Sequence, residues 1–195
     1  MSLRPGQLLV ADAIRAGARV LDVGCGDGAL LAHLRDAKGC DGRGVEIDSA
    51  NVAVAVARGL SVVQADAGRD LADFPSGSVD YAVLSETLQA MAEPVRVLDE
   101  LLRIGRHAIV TFPNFGHWRV RWHLLGRGRM PMTAALPVMW YESANIHFCT
   151  VADFRDLISA KALTVEREAY LAGERPVARG VANWRADWAM FVLRR

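Results

Sequence analysis

The chain has 195 residues, 52% of them apolar, which is enough for one sizeable core and too few for two ordinary domains. A formal net charge of +1 gives no sign of a tail or surface dedicated to nucleic acid or to acidic partners, so any charge argument rests on distribution. Neither the start of the chain nor any later stretch has the apolar run of a signal peptide or a membrane span, so a soluble, cytoplasmic protein is expected.

Short apolar runs alternate with helical patterns, which predicts a doubly wound, mostly parallel α/β sheet of about seven strands with helices on both faces. A helix is expected over 6–15, then a strand over 19–23 that runs into the turn Gly24-Cys25-Gly26-Asp27-Gly28. Gly28 opens a second helix that Gly39 breaks, and the next strand spans 42–47. The segment Val52-Ala53-Val54-Ala55-Val56-Ala57 reads as either strand or buried helix. Helix is the better assignment, because the parallel strands on either side need a crossover and Asp48 or Ser49 offers an N-cap.

Further strands are expected over 61–64, 79–85 and 107–112, with a helix over 94–104 whose Val95, Leu98, Leu101 and Leu102 share one face. After Phe112 the rhythm gives way to a Gly-, Pro-, Trp- and Arg-rich stretch to about residue 149, an elaboration of a single 1–195 domain rather than a linker. Thr150 to Asp153 then start a helix as a capping box, and strands over 163–170 and 186–193 close the sheet, the last one antiparallel. Cys25, Cys40 and Cys149 form neither a C-x-x-C pair nor a zinc spacing, so reduced thiols and no metal are expected.

In open α/β sheets ligands bind beyond the carboxyl ends of the strands, where this glycine turn falls. Its spacing also matches the dinucleotide fingerprint, as Gly24, Gly26 and Ala29, so the glycines alone do not choose the ligand. Charge separates the readings. Asp22 at the end of the first strand and Asp27 in the turn would repel a pyrophosphate and would favour the sulfonium and ammonium of S-adenosylmethionine.

Glu46 follows the turn by about 20 residues, where an acid accepts hydrogen bonds from ribose hydroxyls, an expectation common to both ligands. Asp66, with Ala67 beside it, follows the third strand and is placed to accept from an adenine amino group while Ile47 covers the ring. The expected cofactor set is therefore Asp22, Gly24, Cys25, Gly26, Glu46, Ile47, Asp66, Ala67 and Ser85, with S-adenosylmethionine or S-adenosylhomocysteine as the ligand.

Between Leu101 and Tyr141 there is no acidic residue, yet six arginines and His107, His117 and His123 occur. Trp118, Trp122 and Leu125 have helical spacing, with Arg119, His123 and Arg127 on a second face, as in an amphipathic lid whose tryptophans pack onto the body. That economy argues against a nucleic-acid platform.

The glycine turn with Glu46 and Asp66 resembles the class I S-adenosylmethionine-dependent methyltransferases. Ser85-Glu86-Thr87-Leu88-Gln89, Phe112-Pro113-Asn114-Phe115-Gly116-His117-Trp118, Gly128-Arg129-Met130-Pro131 and Trp140-Tyr141 through Asn145-Ile146-His147 resemble the MetW family of methionine-biosynthesis proteins over nearly the whole chain. Ala29, Glu86 and Ala144 stand where that family commonly has Glu, Gln and Pro.

The resemblance implies a protein that associates with a homoserine O-acyltransferase and supports its activity. No G-x-S-x-G nucleophile elbow is present, so the chain is not expected to carry acyl-enzyme chemistry itself. Candidate substrate- or partner-side residues are Glu86, Gln89, Asn114, His117, Trp118, Arg121, Tyr141 and His147. The alternative is an active methyltransferase on a small anionic molecule; methyl transfer needs little acid–base help, so no catalytic residue can be named. A homo-oligomer stays open.

Overall fold

The computed structural model describes residues 3–133, 136, 139–143 and 146–195. Eight strands form one sheet in the order β3-β2-β1-β4-β5-β8-β6-β7. They are β1 (Arg19–Val23), β2 (Asp41–Glu46), β3 (Ser61–Gln64), β4 (Val79–Ser85), β5 (Gly105–Pro113), β6 (Thr164–Ala172), β7 (Arg175–Pro176) and β8 (Trp188–Arg194). The strands from β3 to β5 in sheet order pair in parallel, and β8 runs antiparallel to both β5 and β6. The strand beyond the expected seven is the two-residue β7, which folds back on β6 through the turn at Gly173.

The helices are α1 (Pro5–Ala13), α2 (Ala29–Lys38), α3 (Ser49–Ala57), α4 (Pro94–Ile104), α5 (Trp118–Arg127), α6 (Val151–Ala160) and α7 (Ala182–Arg185). The alternating Val-Ala segment lies in helix α3, and Asp48 caps it by accepting from Ala50 N–H at 2.9 Å. Thr150 and Asp153 form the expected capping box at the start of α6. No helix among the described residues is long and apolar enough to cross a membrane.

Side chains alternate across the central strands and feed two cores. Leu21 and Val23 of β1 join Leu98, Leu101, Phe112, Phe154 and Phe191 on one face. Val20, just before them, joins Val10, Ile14, Leu30 and Leu34 on the other. On α4 the buried stripe is Val97, Leu98, Leu101, Leu102 and Ile104; Val95, expected inside, is exposed because Pro94 and Val95 lie on the outer side of the first turn.

At the end of β5, Asn114 joins the sheet to the C-terminal half of the chain. Its Nδ2 donates to the carbonyls of Ala182, Asn183 and Ala186 at 3.3, 3.2 and 2.8 Å. Its Oδ1 accepts from Gly116 N–H at 3.0 Å and Val151 N–H at 3.2 Å. One buried amide thus fixes α5, α6 and α7 relative to β5. Asn114→Ala strips several buried backbone groups of their partner at once and is expected to lower stability by about 3 kcal/mol, read from urea unfolding monitored by circular dichroism.

Candidate functional site

Strand order reverses between β1 and β4, and a cavity of about 710 Å³ opens beyond the carboxyl ends of the strands there. Its wall comprises Gly24 after β1, Glu46 and Ile47 at the end of β2, Ala65 to Arg69 after β3, and Thr87 and Ala90 to Glu93 after β4. The doubly wound topology alone brings these segments, far apart in sequence, to one rim.

Positive φ angles at Gly24 (72°) and Gly26 (55°) shape the turn. A Cβ on Gly24 would strike the Thr87 side chain at 2.8 Å, whereas one on Gly26 would meet nothing within 4 Å. The turn is therefore packed on the β4 side and open at Gly26, where a ligand can approach backbone.

Glu46 holds the turn in place. Its Oε2 accepts from Gly26 N–H at 2.7 Å, and its Oε1 accepts from Ile47 and Asp48 N–H, both at 2.9 Å. Oε1 thus has both lone pairs engaged, while Oε2 retains one for a further donor. Beside it, Ile47 stands 65% exposed on the cavity wall, an apolar surface left for a ligand to cover. Asp66 accepts from Gly68 N–H at 2.8 Å, and Asp66 and Ala67 both line the cavity, as expected from sequence.

Asp22 lies beneath the turn, 2% exposed, and its Oδ1 has no hydrogen-bond partner. Burial pushes its carboxyl up from 3.8 to about 7, against the attraction of Arg4 and with the repulsion of Glu46. An orphaned, buried carboxylate oxygen at a glycine turn fits a cationic donor such as an ammonium group.

Several expected residues have other work. Asp27 turns away from the cavity, pairing with Arg58 at 3.1 Å and capping α2 through Ala29 N–H at 3.2 Å. Cys25 contributes backbone only; its side chain is buried with Leu31, Ala55 and Leu60, and burial and the nearby carboxylates push the thiol up to about 12. Ser85 is buried 3.3 Å from Thr111 Oγ1 and is not on the cavity wall. The sequence missed Thr87, Met91 and Arg96, which line the cavity from the β4 side; Thr87 stands inside the segment Ser85 to Gln89 without being singled out there, and Met91 and Arg96 carry no motif.

On the substrate side, Glu86 has φ 59°, unusual for a residue with a Cβ, and a buried carboxylate. Arg4 pairs with its Oε2 at 2.6 Å while Oε1 is unpartnered, and burial raises its pKa. Gln89 donates to the Glu86 carbonyl at 2.7 Å, and its Oε1 has no partner among the described residues. These two acceptors remain available.

Asn114 and His117 are committed within the chain. His117 caps α5 by accepting from Arg119 N–H at 3.2 Å and faces Asp187 at 3.5 Å; desolvation lowers its pKa. Arg121 donates to the Gly116 carbonyl at 2.6 Å and stacks on Trp184 at 5.3 Å. Tyr141 and His147 are exposed, and the His147 N–H binds the Gln89 carbonyl at 3.0 Å. Ala144 and Asn145 lie outside the described residues.

The packing expected of the tryptophans is overturned. Helix α5 forms where predicted, but of its ten residues Val120 alone is buried, while Trp122 is 69% and Leu125 83% exposed. The apolar face points outward because the opposite side of α5, at Val120, is the one that meets the body.

Between about pH 4 and 7 the native state keeps a proton on Asp22 that the unfolded chain has lost, so stability falls as pH rises through that window and is level above it. Asp22→Asn is expected to remove this slope, matching the wild type near pH 4 and exceeding it at pH 8 in denaturant midpoint.

The model of the family "Methionine biosynthesis protein MetW" matches residues 4–193. The chain is 35% identical over 198 aligned residues to the bifunctional methionine biosynthesis protein MetXA/MetW of Rhodopirellula baltica, covering 95% of this chain and 32% of that protein. Among solved structures, an S-adenosylmethionine-dependent methyltransferase from Mesorhizobium loti has a TM-score of 0.70 at 16% identity, covering 97% of this chain and 98% of that one. The [4+2]-cyclase SpnF has a TM-score of 0.68 at 18% identity, covering 97% and 80%. The match to nearly the full sequence places this chain in the MetW family, on the fold of the class I methyltransferases.

Proposed function

We propose that the chain binds S-adenosylmethionine or S-adenosylhomocysteine in the acid-lined cavity and serves as a cytosolic accessory subunit of a homoserine O-acyltransferase in methionine biosynthesis. The observation that carries the partnership is the Rhodopirellula relative, in which MetXA and MetW share one polypeptide and this chain spans about a third of it. Joining two proteins in one chain keeps their local concentration high, as a functional pair requires.

For the ligand, each part of the cavity has a matching task. Asp22, buried beside the cavity, would meet the ammonium group through its unpartnered oxygen, the spare lone pair of Glu46 Oε2 a ribose hydroxyl, and Asp66 the adenine amino group. Ile47 and Ala67 would cover the adenine ring. When bound, S-adenosylmethionine supplies an activated methyl group, but the fold by itself does not assign methyl transfer, since a cyclase shares it.

Because S-adenosylmethionine is made from methionine, a pocket for it lets pathway output act on an early step, provided its affinity differs between the free and partnered chain. The test is copurification with a homoserine O-acyltransferase, followed by acyl-transfer assays with and without S-adenosylmethionine. Association, higher acyltransferase activity and calorimetric ligand binding weakened at least tenfold by Asp22→Asn are expected. Labelled methyl transfer to a small acceptor, with acyltransferase activity indifferent to the chain, overturns the reading in favour of a methyltransferase.

A further inference from the structure

Helix α5 is anomalous for a helix of a folded domain. A ten-residue helix is marginal in water unless a face is packed, yet Val120 is the single buried residue of α5. Its apolar side chains are gathered rather than scattered: Trp118, Trp122 and Leu125 stand at i, i+4 and i+7 and so form one stripe. All three are exposed, and Trp184 extends the stripe through the Arg121 guanidinium stacked on it.

The charges carried along this stripe have one sign. Arg119 lies over the Trp118 ring at 5.4 Å and Arg121 over the Trp184 ring at 5.3 Å, and the sequence from Leu101 to Tyr141 contains no acidic residue. Exposed tryptophans interleaved with arginines have the composition of an interface centre, where such residues carry most of the binding energy.

Resting on the accessory-subunit reading above, we propose that the outward face of α5, with Trp118, Trp122 and Leu125 flanked by Arg119 and Arg121, docks onto the homoserine O-acyltransferase. The chemistry fixes the partner surface: an apolar patch rimmed by carboxylates. The shared polypeptide of the Rhodopirellula relative supplies the reason to choose this occupant over a second copy of the chain.

The test measures association of the purified chain with the acyltransferase by calorimetry for the wild type, for Trp122→Ala/Leu125→Ala, and for Val56→Ser on the exposed side of α3. The double variant is expected to raise the dissociation constant at least tenfold, the α3 variant less than twofold, and both should bind S-adenosylmethionine as the wild type does, which certifies their fold. Association should also weaken with added salt, and more weakly so in Arg119→Gln. A double variant that binds the acyltransferase as tightly as the wild type overturns the docking face while leaving the partnership intact. Failure of the wild type to bind overturns both. If the double variant instead dissolves a dimer of this chain and spares the acyltransferase contact, the face belongs to a second copy and the proposal falls.

Discussion

The Glu46 carboxylate is the fastening on which the cavity depends. It draws backbone N–H groups from two separate corners of the chain, Gly26 in the turn after β1 and Ile47 with Asp48 after β2, onto one charged acceptor. Hydrogen bonds to an ionised acceptor are roughly twice as strong as neutral ones, so a single side chain sets the spacing between the turn and the adjoining strand end. The same oxygens that fix this geometry face the cavity, and the rim is thereby preorganised before any ligand arrives.

Around that fastening, the chain divides its polar residues into two kinds. Asn114, His117, Asp27 and Arg121 have their hydrogen-bonding capacity absorbed by backbone or by each other's neighbours, and they build the frame. Among the described residues, Asp22, Glu86 and Gln89 keep buried oxygens without partners. Buried unpaired acceptors are costly and rare in native structures, and these three lie near the ends of β1 and β4, where the donors of a ligand could satisfy them.

The periodic part of the fold was legible in the sequence. Strands β1, β3 and β4 and helix α4 fall on the bounds read from apolar runs, and α3 followed from the need for a crossover despite its strand-like alternation. The convergence of Glu46 and Asp66 on one cavity was legible as well, because strand ends in a doubly wound sheet meet whatever the intervening helices contain. Side-chain direction was not. Asp27 is turned aside by Arg58, which lies 31 residues further along the chain, and Cys25 by the close approach of Gly44. The outward pose of α5 was equally hidden, since an amphipathic pattern names an apolar face without saying whether this chain or another one covers it.

Asp22 carries one further consequence, in proton traffic. A carboxyl poised at about 7 is part protonated and part ionised at neutral pH. A cation seated against its free oxygen stabilises the ionised form, so binding expels a proton, and the fraction expelled rises as the medium becomes more acidic. The occupancy of such a site is therefore coupled to the hydrogen-ion activity around it. Acidification would therefore loosen the hold of this turn on a cationic ligand.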